Sequence, residues 1–500
     1  MPRRLFAAAA FALTLAATAS ADPVAEEVRT RVRAAVGYDA FCKLEHGVVL
    51  TGKAESFGLP GTFTLRLHPD GRYLRVVESP TGEATGYDGK ARWARQFANP
   101  ALPADLDEAR MLALHHAILG HRWLAPDGGY AAVIDPAEHR AYRPCVLVRH
   151  PDAPGFAARV YVDPATWLPS QYTVVAAGRG ESVVELADYR DVGGAKVAGK
   201  IGIGRFSGGA EFAAAAATAA PAPAGADPFA PPPPPDDTRF DPAGPAAVEA
   251  KMAKGLMFVR PAVNGKPGPW FQLSGVSTTS GLGAADADRL GLGRLGGTGP
   301  GQVEGQGPAR PVVRLRPADR FALGPAAVAG LVMVEYPTDG MTAMSRFVEF
   351  DVGGQVGGDV LSRVVLAADW AAGTVSVHDP RTYQPPPGLT WEPVRFSGGA
   401  PFVAGTFEGK HAGPFAFDTG GDGPLTFGPG AVRGLNLLAG RPVDPFGLSN
   451  PGGATLAYKA AGGAFQVFGR PARVTETRFI VGDYAADKYP YALGSFSPAT

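Results

Sequence analysis

Three things are scarce in this chain of 500 residues: cysteine, net charge and long apolar runs. Cys42 and Cys145 are its two cysteines, too few for a cysteine-built metal site. They either pair, in a compartment that permits it, or stand as two buried small apolar side chains. Lys plus Arg and Asp plus Glu both number 47, so the formal net charge is zero. The electrostatic footprint of a nucleic-acid or anionic-membrane binder is therefore missing, and neither partner is expected. Beyond the first twenty-odd residues no apolar run is long enough to span a bilayer, so no integral membrane segment is expected. Charged residues make up only 19%, whereas Gly at 67 and Pro at 48 are abundant. That balance suits many short strands joined by turns, not a helical bundle. The length allows two or three domains with sizeable cores.

Residues 1–21 are expected to be an export leader. Arg3 and Arg4 supply the positive start, Leu5 to Ala17 the apolar stretch, and Ala19-Ser20-Ala21 the small residues before a cleavage at Asp22. The mature protein is then periplasmic or secreted.

Val24 to Val36 reads as one amphipathic helix, with Val24, Val28, Val32 and Val36 on its buried face. After Gly47 the period changes to two. Val48-Val49-Leu50, Thr62 to Leu67 and Tyr73 to Val77 are strand-like, with a Pro69-Asp70-Gly71 turn. A second helix runs from about Leu106 to Leu119, and Gly120 is placed to end it. Strands follow at Tyr130–Ile134, Cys145–Arg149, Ala158–Val162, Gln171–Val175 and Ser182–Tyr189. Together these predict a curved antiparallel sheet wrapped round helices over 22–210. The segments Val162-Asp163-Pro164-Ala165-Thr166-Trp167-Leu168-Pro169 and Leu186-Ala187-Asp188-Tyr189-Arg190-Asp191-Val192 make this portion resemble the outer-membrane lipoprotein carrier fold. That resemblance implies either a binder of acyl chains or a purely structural module.

Residues 211–248 collapse to Ala, Pro, Gly and Asp, with five consecutive prolines at 231 to 235. This stretch reads as an unstructured, Pro/Ala-rich linker.

Beyond it lies an internal repeat. Asn264-Gly265-Lys266 leading to Phe271-Gln272-Leu273-Ser274-Gly275 matches Glu408-Gly409-Lys410 leading to Phe415-Ala416-Phe417-Asp418-Thr419, 144 residues on without a gap. In both, alternating apolar residues mark a half-buried strand running into a loop. Asp418-Thr419-Gly420 at the strand end resembles the Asp-Thr-Gly of aspartic proteases, in their retropepsin-like branch. Gly354 to Leu361 resembles that family's hydrophobic-hydrophobic-Gly segment, with Ala492-Leu493-Gly494 as its counterpart in the second copy. The resemblance implies a two-copy β barrel, 250–385 and 386–500, with no cofactor and no metal. It also implies a catalytic role for Asp418, Thr419 and Gly420, whose first-copy counterparts are Ser274, Gly275 and Val276.

Such proteases need two carboxylates sharing one proton, one as base and one as acid. Ser274 cannot ionise usefully. A lone Asp418 predicts a fold without hydrolysis that binds a peptide or protein ligand. The alternatives are an active aspartic endopeptidase formed by two Asp418 in a homodimer, an apolar-ligand carrier through the N-terminal half, and a coincidental Asp-Thr-Gly turn in another β protein. The second copy lacks a counterpart to Asp359–Val377, so either it closes differently or the chain lacks its natural end; an unclosed sheet would leave an open edge near Gly494.

Three weaker patterns have plain explanations. Gly291-Leu292-Gly293-Arg294-Leu295-Gly296 matches a dinucleotide motif but follows a helix, so it reads as a flexible loop, near where a substrate flap would sit. His115, His116 and His121 read as helix-surface histidines, and Asp422 as a turn residue.

Overall fold

The computed structural model describes residues 22–97, 99–126, 128–140, 142–176, 182–204, 210–221, 227–295, 314–336, 338–389, 391–421, 423, 425–450, 453–481 and 492–498. The leader, Asp422 and Gly296, the last residue of the glycine-rich loop, lie outside these residues.

The helix Pro23–Ala35 starts where Asp22 Oδ1 accepts from the amides of Val24 (3.0 Å) and Ala25 (3.3 Å). It buries Ala25, Val28 and Val32, but Val24 is half exposed. An i, i+4 row drifts about 40° per step, so four such residues cannot all face one core.

The core this helix covers is a single antiparallel sheet of thirteen strands. From one edge it runs through Leu102–Pro103, Arg92–Arg95, Glu83–Tyr87, Tyr73–Glu78, Leu59–Leu67 and Val48–Ser56. It continues through Ala210–Thr218, Lys200–Gly204, Ser182–Ala187, Pro169–Ala176, Ala153–Val162, Cys145–His150 and Ala131–Ile134. The helix Leu106–Leu119 lies within its curve, and Leu114, Ala117, Ile118 and Leu119 share one core with Leu50, Phe63, Val148 and Tyr172. Cys42 and Cys145 are both free, the first exposed and the second buried, where desolvation pushes the Cys145 thiol up to about 12.

The expected linker contributes strands at both of its ends. Ala210–Thr218 pairs on both sides, with Val48–Ser56 and Lys200–Gly204, and so joins the two runs of the large sheet. An inner strand is held by backbone hydrogen bonds to two neighbours, and with only Phe212 filling the core behind it alanine suffices elsewhere. Phe229 is buried, and its carbonyl accepts from the Trp93 indole N–H at 3.2 Å. Thr238–Phe240 and Ala247–Val248 pair with strands of the first copy. Composition overlooks all of this because these contacts use backbone and single anchors.

The two copies share one strand plan. In the first, Trp270–Leu273 runs parallel to Val352–Val356, and Gly281–Gly283 is antiparallel to Val352–Val356 and parallel to Ala326–Tyr336. In the second, His411–Phe417 runs parallel to Gly494–Phe496, and Leu425–Phe427 is antiparallel to Gly494–Phe496 and parallel to Glu476–Ile480. Gly354 faces Phe271 and Gly494 faces Phe415, so these glycines correspond. A Cβ on Gly354 would sit 2.4 Å from the Phe271 ring, and one on Gly494 2.2 Å from the Thr426 carbonyl oxygen. Gly494–Phe496 is an inner strand with neighbours on both sides, so the open edge expected there is absent. The architecture is mainly β throughout.

Candidate functional site

The two strand-end loops meet face to face. Ser274 N donates to Val356 O at 3.0 Å and Asp418 N to Phe496 O at 2.9 Å. Each loop then turns back on itself, Ser277 N to Ser274 O and Gly421 N to Asp418 O, both at 3.3 Å. Ser274 thus occupies in the first copy the backbone place that Asp418 occupies in the second.

Between the loops the bonds are asymmetric. The Thr419 hydroxyl donates to Leu273 O at 3.3 Å and accepts from Gly275 N at 2.7 Å. Gly275 has no hydroxyl to return the contact. Instead the Gln272 amide donates from Nε2 to Gly420 O at 2.9 Å. Val276 packs onto Ala400, Phe402, Ala416 and Ala492 of the second copy. A Cβ on Gly420 would lie 2.9 Å from Ser274 Oγ, so glycine there permits the close approach. Ser274 is buried, whereas Asp418 is half-buried with Oδ1 accepting from Gly420 N at 2.9 Å.

A second carboxylate lies behind the first loop. Asp359 is buried, with Oδ2 accepting from Ser280 N (2.7 Å) and Oδ1 from Ser280 Oγ (2.5 Å) and Val360 N (2.9 Å). Burial raises its carboxyl to about 6 against the pull of the Ser280 bonds. It is spent on fixing the loop and does not replace a partner for Asp418. The sequence contained Asp359 inside an apolar run, Gly358-Asp359-Val360-Leu361, which was its signal.

Arg363 links this region to the rest of the chain. Its guanidinium donates to both Asp237 oxygens (2.8 and 2.7 Å), to Asn99 Oδ1 (3.4 Å) and to Asp359 O. Asn99 Nδ2 in turn donates to Thr278 O at 3.0 Å. The N-terminal sheet edge is thereby fastened over the first-copy loop, leaving a cavity of about 260 Å³ between them. Leu102, Pro103, Gly275, Leu361, Phe396 and Pro401 are among its walls.

The histidines are not on a surface. His116 and His121 are both nearly fully buried, His116 on the face its helix turns toward Tyr73 of the sheet and His121 just beyond the helix, bonded to Lys196 O at 3.0 Å. His115 bonds the Tyr172 hydroxyl at 2.9 Å, while His116 stacks on Tyr73, so the adjacent pair diverges. Gly291, at φ +76°, ends the helix Ala284–Leu290, and the glycine pattern there is a helix terminus.

No family model matches this chain, and no curated protein does. Among solved structures, the N-terminal half resembles a LolA superfamily protein from Nitrosomonas europaea, at 9% identity and TM-score 0.28, over 40% of this chain and 94% of that one. A lipoprotein-sorting protein domain from Vibrio parahaemolyticus gives 8% identity and TM-score 0.26, over 38% and 92%. A DUF1329 family protein from Desulfovibrio piger gives 9% and 0.26, over 39% and 93%. At such scores the likeness carries nothing about activity.

Proposed function

We propose that this chain is an exported binding protein whose C-terminal half uses an aspartic-protease-like, retropepsin-like frame without hydrolysing peptides. The observation that carries this is Ser274, a hydroxyl, at the place facing Asp418 in loops knitted together by Thr419. Activating water for attack on a peptide carbonyl needs a second carboxylate there. A homodimer pairing two Asp418 is opposed by the same geometry, since the Thr419 hydroxyl already bonds Leu273 and Gly275 of its own chain. The ligand class is a peptide or protein segment, and the cavity beside Gly275 has room for one or two apolar side chains.

The test is peptide hydrolysis by the mature chain between pH 3 and 7, beside Asp418→Ala. No cleavage by either is expected. Cleavage abolished by the substitution would establish an enzyme and overturn the proposal.

One observation favours a second reading, carriage of an apolar ligand by the N-terminal half. A small void of about 10 Å³ separates the inner helix from the sheet, walled by Leu50, Leu65, Leu67, Ile118, Leu119 and Ile201 among others. It holds no acyl chain unless the helix Leu106–Leu119 swings away. Lipid extraction of the purified protein, with and without a disulfide locking that helix to the sheet, checks it.

A further inference from the structure

The inner face of the large sheet contains two arginines, Arg75 and Arg92, that form no ion pair among the described residues. Arg75 sits in the strand Tyr73–Glu78 between two core residues, Tyr73 and Val77, and is only 8% exposed. Its Nε has no hydrogen-bond partner, and none of the carboxylates among the described residues forms an ion pair with it. Its guanidinium lies over the Phe212 ring, 5.3 Å from the centroid. The buried acid on the adjacent strand, Glu83, pairs with Val77 and so stands on the same face, one pair along from Arg75; it accepts from Ser56 Oγ at 3.0 Å and makes no ion pair with Arg75.

Arg92 repeats the pattern. The cross-strand pairs Tyr73↔Tyr87 and Tyr87↔Arg92 put it on the same face. Its Nε is also unpartnered, and its head lies 4.2 Å over the Tyr87 ring. From the inner helix His116 stacks on Tyr73 at 3.7 Å, with both ring nitrogens buried and unpartnered. Burial, then the charges of Arg92 and the neighbouring groups including Arg75, hold His116 well below its usual value, so it faces the two arginines as a neutral ring.

A guanidinium cannot discharge itself by losing its proton, so burying one without an anion opposes folding. We infer that Arg75, Arg92 and His116 form a binding site for an anionic oxygen group, a carboxylate or phosphate. Arginine offers such groups a planar fork of N–H donors, and the neutral histidine adds one more. Half-buried Arg92 marks the entrance and Arg75 the floor. The same chemistry arises from a free anion or from the head of an amphiphile whose tail would lie against Phe212 and Phe63. The inference stands on this cluster and depends on neither function proposed above.

The experiment is calorimetric titration and thermal unfolding of the mature chain at fixed ionic strength. The probes are inorganic phosphate, acetate, and dodecyl phosphate below its micelle concentration. Saturable binding and a rise in Tm are expected for at least one. Phosphate or acetate binding identifies a free anion; binding of dodecyl phosphate alone identifies a headgroup. Arg75→Met should weaken that binding at least tenfold while its ligand-free Tm equals or exceeds that of the parent. Arg92→Gln, at the half-buried entrance, should also weaken it about tenfold and serves if Arg75→Met does not fold. No binding by the parent, or affinity unchanged in Arg92→Gln, would overturn the inference and leave the arginines as packing residues.

Discussion

The two copies of the C-terminal half keep one backbone and differ in what it carries. Leu273 pairs with Val356 as Phe417 pairs with Phe496, and each loop amide finds the equivalent carbonyl. At the loop tips the first copy offers Ser274-Gly275-Val276 and the second Asp418-Thr419-Gly420. Backbone hydrogen bonds do not depend on side-chain identity, so the frame survives exchange of the groups that chemistry needs. The first copy then acquires polar support of its own. Asp359 braces its loop, whereas counting on from Phe496 places Ala499 at the matching position.

That difference gives the largest expected effect. The carboxyl of Asp359 sits at about 6 in the folded chain, above its ordinary 3.8, so folding favours the protonated form. Its contribution is fully present below about pH 4 and is lost as pH rises through 6, by up to roughly 3 kcal/mol. Asp359→Asn cannot titrate. Denaturant unfolding at pH 4 and pH 7 should show the parent losing stability relative to this variant on going to pH 7. A constant difference would mean that the first loop is not braced by a raised carboxyl, and the two copies would be alike in this respect.

Thr419→Val tests the junction between the copies. It removes the hydroxyl held between Leu273 O and Gly275 N and leaves the Gly275 N–H without its partner. The expected loss is about 1–3 kcal/mol in denaturant unfolding. Ser274→Asp makes the copies more alike by adding a carboxylate facing Asp418. Like charges disfavour joint ionisation, so the carboxyls should titrate higher and the variant should be about 1–2 kcal/mol less stable at pH 7, recovering toward pH 4. Equal loss at both pH values would point to crowding against Gly420 instead.

Much of this was legible in the chain. The helix Leu106–Leu119, the period-two strands after Gly47 and the repeat at 264 and 408 follow from local patterns, and the strands form at those places. What stayed hidden is non-local. The strand Ala210–Thr218 has the composition of a linker and becomes structured through neighbours more than a hundred residues away in sequence on one side. His116 is buried because its helix lies in the curve of the sheet and turns that residue onto Tyr73, a contact no single-helix pattern reveals. The fastening of Asn99 to Thr278 and Arg363 joins residues that carry no shared motif.

Gln272 offers the finest test of how the first copy makes up for its missing threonine. Its amide reaches the Gly420 carbonyl from the opposite side of the junction, where the threonine of a symmetric pair would have supplied a second contact. Ala416 occupies the corresponding position of the second copy and cannot return the bond. Gln272→Ala should cost about 1 kcal/mol, the net value of one partly buried hydrogen bond, and less than Thr419→Val, because the freed acceptor is a carbonyl beside a half-exposed loop. Combining the two substitutions measures their coupling. If Gln272 and Thr419 hold one junction, the double variant should lose less than the sum of the single losses; strict additivity would mean that the loops are anchored independently.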